Sequence, residues 1–211
     1  MFPVDKPINT MMHGWLGYGN KEELLRVLNK PQIKTIVELG SWYGKSSEFI
    51  LKNDKTIEII CVDLWSNSDI KEGNQVIKYN DKYSKILDTY DLYETFLANM
   101  WDYQNRVLPV KMDTKIGLKH IHSLGIEPNA IYIDANHTYK DVKGEIELSI
   151  KLFPNAILLG DDMNWSGVKR AVIECAKKYN FHLIKNRNCW RYFNYPIPEN
   201  VLNNSKIKVL C

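Results

Sequence analysis

The run VELGSWYGKSS, Val37 to Ser47, joins an apolar β-branched segment, Lys34 to Leu39, to a helical segment, Ser46 to Lys52, through a turn that carries Gly40 and Gly44. A strand that is apolar along most of its length is buried on both faces, as it is inside a parallel sheet covered by helices. Glycine at such a turn lets the backbone pass close to a ligand. The glycines do not sit at the offsets of the G-x-G-x-x-G phosphate fingerprint. The form E-x-G-x-x-x-G, Glu38, Gly40 and Gly44, therefore suits a nucleoside bearing an amino acid better than a dinucleotide. Taken alone, a tight turn with packing glycines accounts for it equally well.

Outward from this turn, short β-branched runs alternate with amphipathic segments, the pattern of an α/β sheet with helices on both faces. The strands expected are Lys34 to Leu39, Glu58 to Val62, Val107 to Met112, Ala130 to Ile133, Ala156 to Leu159, Phe181 to Ile184 and Cys189 to Phe193. The last two lie close enough to form an antiparallel edge hairpin. Helices are expected over Lys21 to Leu28, with Asn20 and Glu23 as a capping box, and over Lys115 to Ser123 and Tyr139 to Leu152. A last helix, capped by Ser166, has Val168, Ala171, Val172, Cys175 and Ala176 on one face. Tyr93, Phe96, Leu97, Met100 and Trp101 also follow helical spacing, after a polar, irregular stretch over 65–88 that reads as a functional loop or lid. The expected organisation is an N-terminal arm and helix over 1–32, one domain over 33–193, and a loosely ordered tail over 194–211.

Composition bounds the partners. A chain of 211 residues with 45% hydrophobic content suits one domain with a full core. A net charge of +3 with 25% charged residues lacks the concentrated basicity of a phosphate-backbone binder, so nucleic acid is not the default partner. Cys61, Cys175, Cys189 and Cys211 show no C-x-x-C spacing and read as reduced thiols. No stretch approaches membrane-span length and the first residues lack a leader pattern, so a cytoplasmic protein is expected.

Chemistry concentrates at the strand ends. Asp63 closes the second strand, where a carboxylate can accept both hydrogen bonds of a ribose diol, and Asp113 follows the third, placed to face an adenine. YIDANHTY, Tyr132 to Tyr139, and LGDDMNW, Leu159 to Trp165, end two further strands in acids separated by one helix. Asp134, Asp161 and Asp162 would then converge at one sheet edge. Carboxylates gathered this way repel one another unless a cation sits among them, and hard oxygen ligands favour Mg²⁺ or another hard divalent ion such as Ca²⁺. The bland alternative is that Asp161 and Asp162 cap a loop while Asp134 stays solvated.

In this order, E-x-G-x-x-x-G, the strand-end Asp, I-D-x-x-H-x-Y and G-D-D resemble the class I S-adenosylmethionine-dependent methyltransferases, in particular the metal-dependent small-molecule and sugar O-methyltransferases of the macrocin type, over residues 33–193. The resemblance implies a Rossmann-like, mostly parallel seven-stranded sheet. It implies that Glu38, Gly40, Ser41, Gly44, Asp63, Asp113 and Asp134 form the cofactor site, and that Asp134, Asp161 and Asp162 hold the metal. The implied reaction is methyl transfer to a hydroxyl of a small molecule, with a sugar or glycoside favoured. Asn136 stands where the sugar enzymes often carry a second Asp, which leaves the base to be found elsewhere. His137 occupies the place of a catalytic lysine in catechol-type relatives, and a histidine titrates near neutral pH, so it is either the general base or a loop-bonding residue. His13, Trp15 and Tyr18, with the loop from Ser66 to Lys85, are placed either over the acceptor or in plain packing, and the arm and loop also offer a homo-oligomer surface. The rival functions are a non-catalytic nucleotide-binding module and an RNA methyltransferase. The second lacks its usual Lys-Asp-Lys-Glu set at strand ends.

Overall fold

The computed structural model describes residues 2–68, 81–193 and 208–210. Its elements run α1 (Tyr18–Leu28), β1 (Thr35–Leu39), α2 (Lys45–Asn53), β2 (Glu58–Asp63), α3 (Asp81–Thr89), α4 (Leu92–Asn99) and β3 (Val107–Lys111). They continue as α5 (Thr114–Ser123), β4 (Ala130–Ile133), α6 (Tyr139–Leu152), β5 (Ile157–Gly160), α7 (Ser166–Lys178), β6 (His182–Asn186), β7 (Cys189–Phe193) and β8 (Lys208–Leu210).

The strands form one sheet in the order β3-β2-β1-β4-β5-β7-β6-β8. Strands β1 to β5 are mutually parallel, and β7 pairs antiparallel with both β5 and β6. The expected seven strands and edge hairpin are thus present, and the fold is the Rossmann-like methyltransferase arrangement. An eighth strand extends the edge by pairing β8 antiparallel with β6, while the rest of the tail lies outside the described residues. Short apolar segments of this kind pair only when a neighbouring edge is offered, which local sequence does not show.

Alternate residues of each central strand enter opposite cores, as the two-residue period requires. Ile36, Ile59, Cys61, Ala130 and Tyr132 face the side covered by α1, α2 and α4. Val37, Leu39, Ile60, Val62, Ile131 and Ile133 face α5, α6 and α7. Cys61, Cys175 and Cys189 are buried free thiols, as expected; Cys211 lies outside the described residues.

Two caps differ from expectation. Helix α1 begins at Tyr18 behind Gly17, so Asn20 and Glu23 are not a capping box but buried interior positions of the helix. Helix α7 is preceded by Trp165 at its N-cap, with Ser166 as its first residue. Part of the stretch read as irregular, 65–88, is helical in α3, and residues 69–80 within it lie outside the described residues. No helix among the described residues is long and apolar enough to cross a membrane.

Between α5 and α6, Glu145 is 1% exposed and accepts from Thr114 Oγ1 at 2.5 Å, while its Oε2 has no partner among the described residues. Burial pushes its carboxyl up to about 7, against the pull of the Thr114 hydroxyl. A carboxyl raised on folding stabilises the native state fully below its unfolded value of 4.5 and loses that contribution as pH rises through about 7. Replacing Glu145 with Gln should therefore remove a loss on the order of 3 kcal/mol across that interval. Urea unfolding of both proteins at several pH values tests this, and parallel stability curves would refute it.

Candidate active site

The sheet reverses its winding between β1 and β4, and the crevice above that switch point is where open α/β sheets bind ligands. Gly40 leaves β1 there with φ +88, and a Cβ on it would lie 2.2 Å from the Asp134 carbonyl oxygen. Only glycine satisfies both the left-handed backbone and this approach. Gly44, at φ 87, caps α2, whose first turn then points back toward the strand end.

Beneath the turn, Glu38 is fully buried. Its Oε2 accepts a short hydrogen bond from Ser47 Oγ, and burial raises its pKa against the pull of the Ser46 and Ser47 hydroxyls. Glu38 Oε1 and Ser41 Oγ, both buried, have no hydrogen-bond partner among the described residues. Asp63 spends its carboxylate on the chain itself, accepting from Trp42 N at 2.9 Å and Trp65 N at 2.8 Å. Asp113 accepts from Lys115 N at 3.0 Å and Ile116 N at 3.2 Å, which makes it the N-cap of α5.

The second half of the site lies beyond β4 and β5. Ligand atoms of Asp134, His137 and Asp162 come within 4.8 Å of one another. His137 Nε2 is 2.6 Å from Asp162 Oδ2, and the imidazole stacks on Trp165 with centroids 4.9 Å apart at 17°. Asp161 faces the same cavity but is held otherwise, accepting from Asn20 Nδ2 at 2.5 Å and from Asp162 N at 2.6 Å. Burial, then the charges of Asp161 and Asp162, push the Asp134 carboxyl well above the usual carboxylate range. Its one side-chain donor among the described residues is Tyr132 OH at 3.3 Å. Asp161 is raised as well, by burial and by Asp162.

A cavity of about 290 Å³ connects the halves, touching Gly40 and Ser46 on one side and Asp134, His137 and Asp162 on the other. Its outer wall is aromatic. The ring of His13 lies 5.1 Å from Trp15 and 5.2 Å from Tyr83, and Trp15 lies 5.1 Å from Tyr83. Lys45 Nζ donates to Gly14 O at 2.7 Å and Trp42 Nε1 to His13 Nδ1 at 3.3 Å, which pins the N-terminal arm across the opening. The second bond leaves Nε2 as the protonated nitrogen of the neutral His13 ring. Burial, then Lys45, lowers the His13 pKa and favours that form.

The structure thus brings Gly40, Asp134, His137, Asp161 and Asp162 to one cavity, while Glu38, Ser41, Gly44, Asp63 and Asp113 lie outside its lining. Tyr18 also stays outside, half exposed beneath the Arg187 guanidinium. Tyr83 comes from the loop expected over the acceptor, whereas Trp42 and Lys45, inside the glycine-turn motif, and Asn20, on the face of α1, carry no signal in the sequence that singles them out for the site.

Residues 37–163 match the family described as a methyltransferase domain, and the chain belongs to that family. No curated protein matches it in sequence. Among solved structures it resembles a precorrin 8W decarboxylase from Methanobacterium thermoautotrophicum, at 11% identity and TM-score 0.59 over 92% of this chain and 100% of that one. It resembles a putative caffeoyl-CoA O-methyltransferase from Staphylococcus aureus, at 12% identity and TM-score 0.56 over 85% of each chain. It also resembles CalS11, a TDP-rhamnose 3'-O-methyltransferase of calicheamicin biosynthesis, at 12% identity and TM-score 0.53 over 83% of this chain and 77% of that one. At such identities the likeness is one of fold.

Alanine at Gly40 would carry left-handed strain of more than about 1 kcal/mol in addition to the clash with β4. Its thermal midpoint should fall by ~2–4 °C for each kcal/mol lost. A midpoint equal to wild type in scanning calorimetry would show that the strand ends tolerate separation.

Proposed function

We propose that this chain transfers the methyl group of S-adenosylmethionine to a hydroxyl oxygen of a small molecule, with a divalent cation at Asp134 and Asp162. The observation that carries the reading is the single cavity running from the glycine turn to the acids after β4 and β5. On the cofactor side, Glu38 Oε1 and Ser41 Oγ, unpartnered among the described residues beside the glycine turn, suit the polar groups of an amino-acid-bearing nucleoside. Asp63 is assigned to the ribose and Asp113 to the adenine end. On the acceptor side, the half-buried carboxylates of Asp134 and Asp162, their ligand atoms within 4.8 Å of each other, suit a hard cation, which one or two carboxylates hold alongside water and substrate oxygens.

When bound, S-adenosylmethionine supplies an electrophilic methyl group on a sulfonium. A divalent ion supplies Lewis acidity that lowers the pKa of a hydroxyl close to it. The residues of the chain supply the rest. Asp162 engages His137 Nε2, so Nδ1 is the ring nitrogen left to take the acceptor's proton. Trp165 keeps the imidazole flat against it, and the aromatic wall of the arm excludes water and aligns the acceptor. A sugar is the favoured acceptor: aromatic faces suit the apolar side of a pyranose, and CalS11 shares the fold. A net charge of +3 without concentrated basicity supports a small molecule over RNA.

Transfer of labelled methyl from S-adenosylmethionine to a panel of glycosides and phenols, with and without EDTA, tests the reading. Label transfer that EDTA abolishes and Mg²⁺ or Mn²⁺ restores is expected; undiminished transfer in EDTA would remove the cation. Replacing Asp162 with Asn should weaken Mn²⁺ binding at least ~10-fold. Replacing His137 with Ala should lower kcat ~100-fold or more while Mn²⁺ affinity holds. If that affinity collapses instead, His137 is a ligand and not the base.

A further inference from the structure

Asn20 lies on α1, outside the stretch 37–163 that matches the family, yet it reaches the site. It is 2% exposed and donates from Nδ2 to Asp161 Oδ2 at 2.5 Å. The other oxygen of Asp161 accepts the backbone N–H of Asp162 at 2.6 Å. Asp162 stands in the left-handed region at φ 63, which disfavours a side chain unless its surroundings enforce it. Its Oδ2 meets His137 Nε2 at 2.6 Å. A continuous chain of contacts therefore runs from α1 to the imidazole.

The helix that starts this chain is itself fixed. Glu23 Oε2 accepts from Arg191 Nε at 2.8 Å with the two side chains 0% and 2% exposed. Asn186 Nδ2 donates to Glu23 Oε1 at 3.2 Å. Moving α1 would strand a charge in the interior, so Asn20 has a rigid support.

We propose that Asn20 is a positioning residue: its amide holds Asp161, and Asp161 in turn braces Asp162 in the left-handed conformation that presents its carboxylate to His137. This rests on the reading of Asp162 and His137 given above for its purpose, but the chain of contacts is testable without cation or acceptor. The test uses the 211-residue protein with Asn20→Leu, which keeps the branching and removes the donor, and Asn20→Ser, which keeps a shorter donor.

In the metal-free protein, the imidazole ¹⁵N resonances of His137 should move in Asn20→Leu and return part of the way in Asn20→Ser. Mn²⁺ affinity by calorimetry should fall ~10-fold in the Leu variant, the usual scale for partners behind a metal site. The Kd for S-adenosylmethionine should stay within twofold. Unmoved His137 resonances in a folded variant overturn the proposal, and so does an equal loss of S-adenosylmethionine binding. If the Leu variant does not fold, a Ser variant with wild-type resonances overturns it alone. A wild-type chain that binds no Mn²⁺ sinks the cation reading instead, while a resonance change still upholds the positioning role.

Discussion

The arrangement of this protein depends on the contact between the ends of β1 and β4. Gly40 N donates to Val62 O at 2.8 Å, and Asp134 N donates to Leu39 O at 2.9 Å, so the backbone turns out of β1 while hydrogen-bonded to both neighbouring strands. The Asp134 carbonyl occupies the space a side chain at residue 40 would fill. Because the sheet is parallel here, the glycine turn and the acid after β4 leave their strands at the same edge. One steric fact thus joins the glycine turn after β1 to the acid after β4.

The acids at that edge are not equivalent. Asp63 is nearly buried but answered by two backbone N–H groups. Glu38 is answered on one oxygen by Ser47. Burial first, then the charges of Asp161 and Asp162, raises the Asp134 pKa, and the long bond from Tyr132, its one side-chain donor among the described residues, offsets little of it. A fold selected for stability alone would not gather charge in this way. The cost falls where compensation by the protein is weakest, and that is the position from which a cation or a substrate oxygen gains most.

Much of this was legible in the chain. The β-branched runs gave the strands within a residue or two, because burial on both faces leaves an apolar signature that helices do not share at that length. The acids at strand ends were legible because the parallel topology sends every strand end to one edge. The aromatic wall was only half visible: His13 and Trp15 stood out in a Gly-flanked segment, but what Tyr83 packs against depends on the path of a long connection. Strand β8 was invisible, since three residues carry no period.

Asn20 and Glu23 show why the remainder was hidden. The spacing i, i+3 belongs equally to a capping box and to one face of a helix. Asn20, Glu23, Leu24 and Val27 follow i, i+3, i+4, i+7, so the two polar residues stand on the stripe that Leu24 and Val27 bury. A polar side chain on such a stripe must find a partner inside the protein, since its desolvation is otherwise uncompensated. That requirement is readable from helix periodicity, but the partner is not: Asp161 lies 141 residues further along the chain. Only the closing of the sheet brings it within reach of α1.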